Sequence, residues 1–302
     1  MAPAEGRRRG AVRRERAVVR WLITGAGGQL GTDLRHALSG ESGEDVLALR
    51  RDELDIADST AVAKAVADFA PDVVVNAAAY TAVDAAESDE DAAHHVNVTG
   101  PASIAAALAG RGGKLIHVST DYVFAGDASA PYQVDDPTWP RSAYGRTKLG
   151  GEQAVRDLLP SASWVVRTAW VYGASGGNFV KTMARLERER DTVSVVDDQR
   201  GAPTWSADLA VALVELGRSA ASPGIYHCTN AGDTTWYGLA REVFTLAGLD
   251  PDRVRPVTSA EFVRLARRPA YSVLGHDRWS DAGLPPMADW REALSEAVGQ
   301  LR

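Results

Sequence analysis

From residue 18 onward the chain alternates two patterns. Short continuous apolar runs recur at Val18-Val19-Arg20-Trp21-Leu22-Ile23, Val46-Leu47-Ala48-Leu49, Val73-Val74-Val75, Leu115-Ile116-His117-Val118 and Trp164-Val165-Val166. Such runs read as strands covered on both faces. Between them, apolar residues return every three or four positions: Leu34 and Leu38, the Ala, Val and Phe positions of 59–69, and Val96 to about Ala109. That spacing predicts amphipathic helices. Strand and helix in strict alternation predict an α/β chain with a doubly wound parallel sheet over 17–168. Past Thr168 the regularity fades. Helices over 178–189, from 206, over 235–247 and near 289, with short strands at 193–196 and 225–227, predict a smaller C-terminal substrate-binding lobe. It spans mainly 169–302, with segments that interleave with the first domain.

The first strand runs into Thr24-Gly25-Ala26-Gly27-Gly28-Gln29-Leu30-Gly31 and then a helix. Glycines there let backbone N–H groups approach a pyrophosphate at the helix N-terminus, and the βαβ context makes 17–168 an NAD(P)-binding, Rossmann-type domain. No Gly-Lys-Ser/Thr follows, which excludes a nucleoside triphosphatase loop. The second strand ends in Arg50-Arg51, where guanidinium suits a 2′-phosphate, whereas Asp52 would accept from the 2′-hydroxyl of NAD. Small side chains at Ala77, Ala78 and Ala79 leave room for a flat cofactor. The cofactor-binding positions expected are Gly25, Gly28, Gln29, Leu30, Arg50, Asp55, Ile56, Ala77, Ala78 and Ala79, and the cofactor expected is NADPH with NADH accepted.

Tyr144-Gly145-Arg146-Thr147-Lys148 brings in chemistry. On a helix, Tyr144 and Lys148 share a face, and an ammonium beside a phenol favours the phenolate. Only Lys64, Lys114, Lys148 and Lys181 are lysine among 33 basic residues, so a compact ammonium here is a pointed choice. Ser119-Thr120-Asp121 ends the fourth strand at the same sheet edge, and Thr120 is a candidate donor to a substrate carbonyl. Together these residues suit a keto–alcohol interconversion, in which a hydride reaches carbon and a proton reaches oxygen.

Composition narrows the setting. One cysteine, Cys228, excludes an internal disulfide and fits a reducing, cytoplasmic compartment. No apolar run approaches the ~20 residues of a membrane span. The first sixteen residues hold six Arg against Glu5 and Glu15 and read as a disordered basic tail carrying +4; with a formal net charge of −7 for the whole chain, the rest carries −11, which argues against nucleic acid. Gly173-Ala174-Ser175-Gly176-Gly177 matches a nucleophile elbow, with Asp208 and His227 in order behind it, but reads as a loop and a helix cap. His94 and His95 are adjacent and face apart, which disfavours a zinc site.

With these motifs in place the chain resembles the extended short-chain dehydrogenases/reductases, and within them the dTDP-4-dehydrorhamnose reductase family. The likeness runs from about residue 20 to 280, through Asn76–Asp84, Ser119–Phe124, Tyr144–Leu149, Arg167–Tyr172, Asp198–Thr204 and Arg267-Arg268-Pro269. It implies reduction of the C4 ketone of a dTDP-4-dehydro-6-deoxyhexose, with dTDP-4-dehydro-L-rhamnose yielding dTDP-L-rhamnose. It implies Thr120, Tyr144 and Lys148 as the catalytic set, Lys148 and Tyr144 also meeting the nicotinamide ribose, and Thr81, Val83, Asp121, Tyr122 and Trp170 at the substrate. Some members use Mg²⁺, with Asp33 a position to inspect. The expected partners are a dTDP-sugar substrate, no nucleic acid and no membrane, in a monomer or homodimer. A deoxysugar reductase of an antibiotic pathway, a sugar-nucleotide epimerase and a non-catalytic NADP-binding regulatory subunit remain as alternatives.

Overall fold

The computed structural model describes residues 18–39 and 43–301, so the expected basic tail at 1–16 lies outside the described residues. The chain opens with β1 (Val19–Thr24), α1 (Gln29–Ser39), β2 (Glu44–Leu49), α2 (Ser59–Phe69) and β3 (Val73–Asn76). Two short helices, α3 (Val83–Ala86) and α4 (Glu90–His94), lead through a wider π-helical turn at His95–Thr99 into α5 (Gly100–Leu108). β4 (Lys114–Thr120), α6 (Ala143–Leu158) and β5 (Ser163–Thr168) come next. The remainder is β6 (Val171–Tyr172), α7 (Phe179–Glu189), β7 (Val193–Val196), β8 (Arg200–Gly201), β9 (Thr204–Trp205), α8 (Ser206–Arg218), β10 (Gly224–His227), β11 (Thr234–Thr235), α9 (Trp236–Leu246), β12 (Val254–Val257), α10 (Asp277–Asp281) and α11 (Trp290–Leu301).

Six parallel strands form the central sheet in the order β2-β1-β3-β4-β5-β10. Alternate residues of each apolar run serve opposite faces. Trp21, Ile23, Val73, Val75, Ile116, Trp164 and Val166 pack on α1 and α8, joined by Leu34, Leu209, Leu213 and Trp279. Leu22, Val74, Leu115 and Val165 pack on α2, α5 and α6, joined by Val62, Val66, Ile104 and Val155. Burial on both sides is why these strands carry no polar alternation.

The strand at 225–227 is not part of the C-terminal lobe. As β10 it extends the sheet beyond β5, pairing Ile225 with Val165 and Tyr226 with Val166, while α8 lies against α1. Residues 206–227 thus return to the first layer, covering an edge that β5 would otherwise leave open. The lobe keeps its own core, in which Tyr172, Met183, Val195, Leu239, Phe244, Trp290 and Leu294 meet. Among the described residues no helix is long and apolar enough to cross a membrane.

Strand order reverses between β1 and β3, so their carboxyl ends diverge into a crevice. The register places Thr24 opposite Asn76, Asn76 opposite His117, and Thr120 opposite Thr168, lining these groups up along one edge. Behind that edge lies a buried ion pair. Arg167 on β5 donates from Nη2 to Glu152 Oε2 at 2.7 Å and from Nε to Oε1 at 3.0 Å, and both side chains are 2% exposed. Ser119 Oγ donates to the same Oε1 at 2.5 Å.

A pair so placed holds its geometry because neither partner tolerates solitude. Arg167→Met should destabilise the fold by ~3–5 kcal/mol, since it strands the Glu152 carboxylate in the interior. Adding Glu152→Leu should recover most of that loss in urea denaturation. A single variant as stable as wild type would show that the pair is not closed in solution.

Candidate active site

At the β1–β3 crevice, Gly25 has φ +74°, and a Cβ there would stand 2.6 Å from Ala78 N and 2.7 Å from its Cα. Only glycine lets the loop after β1 lie this close to the strip after β3. The cleft so formed, about 230 Å³, is lined by Gly25, Gly27, Gly28, Asp55, Ile56, Ala77, Ala78 and Ala79, with Arg51, Leu54, Tyr80 and Val96. Gln29 is not among the residues that line it, and accepts from Asn178 Nδ2 at 3.0 Å. Leu30 instead packs into the core beneath the loop. Arg50 does not line this cleft. Its guanidinium is drawn to Asp52 at 3.1 Å and Glu53 at 3.4 Å, leaving its stem beside Gly27, and Arg51 faces the cleft in its place.

A buried polar chain props this crevice. Thr24 Oγ1 donates to Asn76 Oδ1 at 2.7 Å, and Asn76 Nδ2 donates to His117 Nδ1 at 3.1 Å. With Nδ1 accepting, the imidazole proton sits on Nε2. Burial, with the nearby Lys148 charge, holds His117 neutral. Asn97, carried by the π turn, accepts from Tyr80 N at 2.8 Å and donates to Thr147 Oγ1 at 3.1 Å. Helix α6 passes so close that a Cβ on Gly151 would lie 2.1 Å from Asn97 O.

Helix α6 brings Tyr144 and Lys148 to the edge. Ser142 caps it, accepting from Gly145 N at 3.1 Å. The Thr120 hydroxyl donates to Asp121 Oδ1 at 2.9 Å and accepts from Tyr122 N at 3.2 Å. Tyr144 lies within hydrogen-bond reach of Thr120, and its ring meets Tyr122 edge-on with centroids 5.5 Å apart. The Lys148 ammonium is 2% exposed and donates to Val118 O at 2.7 Å. Burial draws its pKa down to about 8, with the Glu152 charge opposing. The expectation that Lys148 lowers the Tyr144 pKa is corrected by the depth of the site. Burial pushes Tyr144 up to about 12, the Thr120 hydrogen bond opposes this, and the Asp121 charge adds to it. Desolvation of the phenolate outweighs any pull from an ammonium already engaged by a carbonyl.

The RmlD substrate binding domain family matches residues 19–302. The chain belongs to this family. A Streptomyces antibioticus protein named "Probable dTDP-4,6-dihydroxy-2-methyloxan-3-one 4-ketoreductase" is 56% identical over 284 residues, covering 94% of this chain and 96% of that protein. A dTDP-4-dehydrorhamnose reductase of Streptomyces griseus is 54% identical over 286 residues, covering 93% and 94%. The crystal structure of dTDP-4-dehydrorhamnose reductase from Bacillus anthracis in complex with NADP has a TM-score of 0.90 at 39% identity, covering 93% of this chain and 99% of that one.

Of the positions that the family resemblance assigns to substrate, Asp121 is buried beside Thr120, and Tyr122 lines a second cleft of about 410 Å³ next to Tyr144. Thr81 is exposed and Val83 half-buried on the segment after β3. Trp170 has φ +47°, rare for a bulky residue, and stacks on Trp236 at 3.6 Å. Trp236 and Phe179, both on the second cleft, are not legible in the sequence because isolated aromatics carry no spacing signal. Arg264 and Arg268 are hidden likewise, although Arg267-Arg268-Pro269 stands out as a motif. The acid and imidazole of the elbow pattern are engaged elsewhere. Asp208 accepts from Asn230 at 2.7 Å, and His227 Nδ1 lies 3.0 Å from Gly275 O with its pKa pulled by burial to about 3. Asp33 accepts from Ser206 Oγ at 2.5 Å, and among the described residues no three His, Cys, Asp or Glu side chains converge as metal ligands do.

Burial raises the Asp121 carboxyl from 3.8 to about 6, and hydrogen bonds to it hold back part of the rise. Between about pH 4 and 6 the folded chain holds the extra proton, so on this account stability falls as pH rises through that window. Asp121→Asn should therefore be more stable than wild type at pH 7 by up to ~3 kcal/mol, the gap closing toward pH 4. Urea midpoints for both proteins across this range check it; a gap that does not change with pH would refute it.

Proposed function

We propose that the chain is an NADPH-dependent reductase of the C4 ketone of a dTDP-4-dehydro-6-deoxyhexose, converting dTDP-4-dehydro-L-rhamnose to dTDP-L-rhamnose. What supports this is Thr120 at the end of β4 within hydrogen-bond reach of Tyr144 on α6, with Lys148 one turn further along the same helix and bonded to Val118 O of β4. The first cleft fits a dinucleotide, because Gly25 and Ala77–Ala79 leave its floor free of side chains at the strand-order switch. The chemistry that bound NADPH supplies there is a hydride for C4.

The chain's own residues manage the proton. With a pKa near 12, Tyr144 is protonated at neutral pH and suited to give its proton to O4 as carbon is reduced. Thr120 holds that oxygen alongside the phenol. Lys148, titrating near 8, keeps its charge at pH 7 and stabilises the phenolate as it forms. Trp170, fixed by its stack on Trp236, borders the sugar. The reaction takes place in the cytoplasm on this reading, in a monomer or homodimer. A second reading, a 4-ketoreductase of another dTDP-deoxysugar, is favoured by the 56% identity to the Streptomyces antibioticus protein. Following NADPH oxidation with a panel of dTDP-4-keto sugars separates the two, and turnover of none of them would defeat both.

Tyr144→Phe should lower kcat by ~10² to 10⁴ with NADPH affinity largely kept, because only the proton relay is lost. Turnover like that of wild type would overturn the assignment.

The cofactor preference should rest on Arg51 more than on Arg50. Arg51 lines the cleft and makes no hydrogen bond or ion pair among the described residues, whereas Arg50 is held by Asp52 and Glu53. A charged hydrogen bond to the 2′-phosphate contributes ~1.5–3 kcal/mol, so Arg51→Ala should cut NADPH preference by roughly 10- to 150-fold. Arg50→Ala should change it only a few-fold. Comparing kcat/KM for NADPH and NADH in the three proteins tests this, and an unchanged ratio in Arg51→Ala would refute it.

A further inference from the structure

A polar cavity of about 480 Å³ opens at the amino end of the sheet, away from Thr120. Ser163 and Gly224 begin β5 and β10 there, and α6 ends beside them, so two strand starts and the last turn of a helix meet. Five residue steps of strand, about 17 Å, separate Ser163 from Thr168 at the edge that carries the reductase group. The cavity shares no lining residue with either cleft described above.

Its deeper part holds donors that lack partners. Ser163 is 2% exposed, and its hydroxyl makes no hydrogen bond. Val165, two residues on, packs on the side of the sheet that α6 covers, so Ser163 points to that side, where Gln153 and Arg156 of α6 line the cavity. A buried hydroxyl left in this state costs free energy that a bound acceptor would recover. Arg278, half-buried, lines the same cavity. Its guanidinium lies over the Tyr226 ring at 5.1 Å, and its one hydrogen bond among the described residues is a long one to Pro223 O, 3.4 Å. Gly224 makes room for it: φ there is +146°, and a Cβ on this residue would press into the guanidinium. The group is thus held flat with most of its N–H donors unspent. Nearer solvent stand Arg156, Gln153, Asp135 and Asp157, all exposed, and none of these four side chains makes a hydrogen bond or ion pair among the described residues. Water screens these balanced outer charges, whereas the half-buried guanidinium keeps its pull. The inner donors suit an oxyanion, and the mixed outer groups suit hydroxyls, which both donate and accept.

We infer that this cavity is a second binding site, which takes a small metabolite with an oxyanion head, phosphate or carboxylate, and a hydroxylated tail. Arg278 and the Ser163 hydroxyl donate to the head, and the outer groups meet the tail. An occupant ties the last turn of α6 to the first residues of β5 and β10. The site stands independently of the reductase reading, since none of its groups belongs to the Thr120–Tyr144–Lys148 edge.

Calorimetric titration of the full chain with glycerol 3-phosphate, glycerate and glycerol separates head from tail. NADPH is kept present, so that oxyanion entry into the dinucleotide cleft is not what is read. Glycerol 3-phosphate or glycerate should bind saturably, the tighter of the two identifying the head, and glycerol should bind far more weakly. Ser163→Ala removes a hydroxyl that has no partner, so the fold should be at least as stable, yet binding should weaken about 10-fold. Arg278→Gln should weaken it about 10- to 100-fold, with Arg278→Lys, which keeps the charge but not the fork, in between. NADPH affinity should stay within a few-fold of wild type throughout. Saturable binding of neither oxyanion, glycerol binding as tightly as both, or an affinity unchanged in Ser163→Ala or in Arg278→Gln would overturn the inference. Should Arg278→Gln fail to fold, Ser163→Ala decides alone.

Discussion

The active edge depends on one helix being held in one place, and the Glu152–Arg167 pair holds it. Helix α6 carries Tyr144, Lys148 and Glu152 at successive four-residue steps, so they share a face. Glu152 is locked to Arg167 on β5 and to Ser119 on β4, and Lys148 to Val118 O. Rotation or sliding of α6 would leave a carboxylate, a guanidinium and an ammonium unpaired in the interior. That penalty exceeds what most single contacts could return. The same contacts fix Tyr144 near Thr120, because the phenol is one turn from Lys148 on the same rigid rod.

The sheet supplies the other half of the arrangement. Parallel strands end together, and the reversal of order between β1 and β3 opens a place along the edge where two loops diverge. Thr120, at the end of β4, is next to β3 in the sheet and so borders this opening. Hydride and proton chemistry must converge on adjacent atoms of one carbonyl. The dinucleotide cleft after β1 and β3 and the tyrosine of α6, beside Thr120 at the end of β4, lie along one edge of the sheet.

Much of this is legible from residue order alone. Continuous apolar runs specify strands buried on two faces, and the glycine loop after the first of them specifies a dinucleotide cleft at its carboxyl end. Tyr144 and Lys148 are legible because i,i+4 spacing on a helix is a geometric statement. The features that stay hidden depend on contacts between segments distant in sequence. The strand at 225–227 cannot be assigned to the main sheet from its residues, since so short a run carries no record of its neighbour. Arg50 and Arg51 are equivalent in sequence; Asp52 and Glu53 separate them by capturing one. The direction of the Tyr144 shift is hidden too, because the spacing reveals a neighbouring charge and conceals the depth of burial.

That burial changes how the tyrosine is best understood. A phenol lowered toward neutrality would be partly ionised before substrate arrives and would serve either direction of a keto–alcohol exchange. One raised to about 12 is a reserve of protons, reluctant to ionise until a developing alkoxide takes the proton from it. On the proposed reading the electrostatic cost of the phenolate arises only when the reaction creates it, near an ammonium on the next turn whose own charge is sustained by Glu152. The phenol is then a proton donor, and the carboxylate that holds the helix also sustains the charge on Lys148.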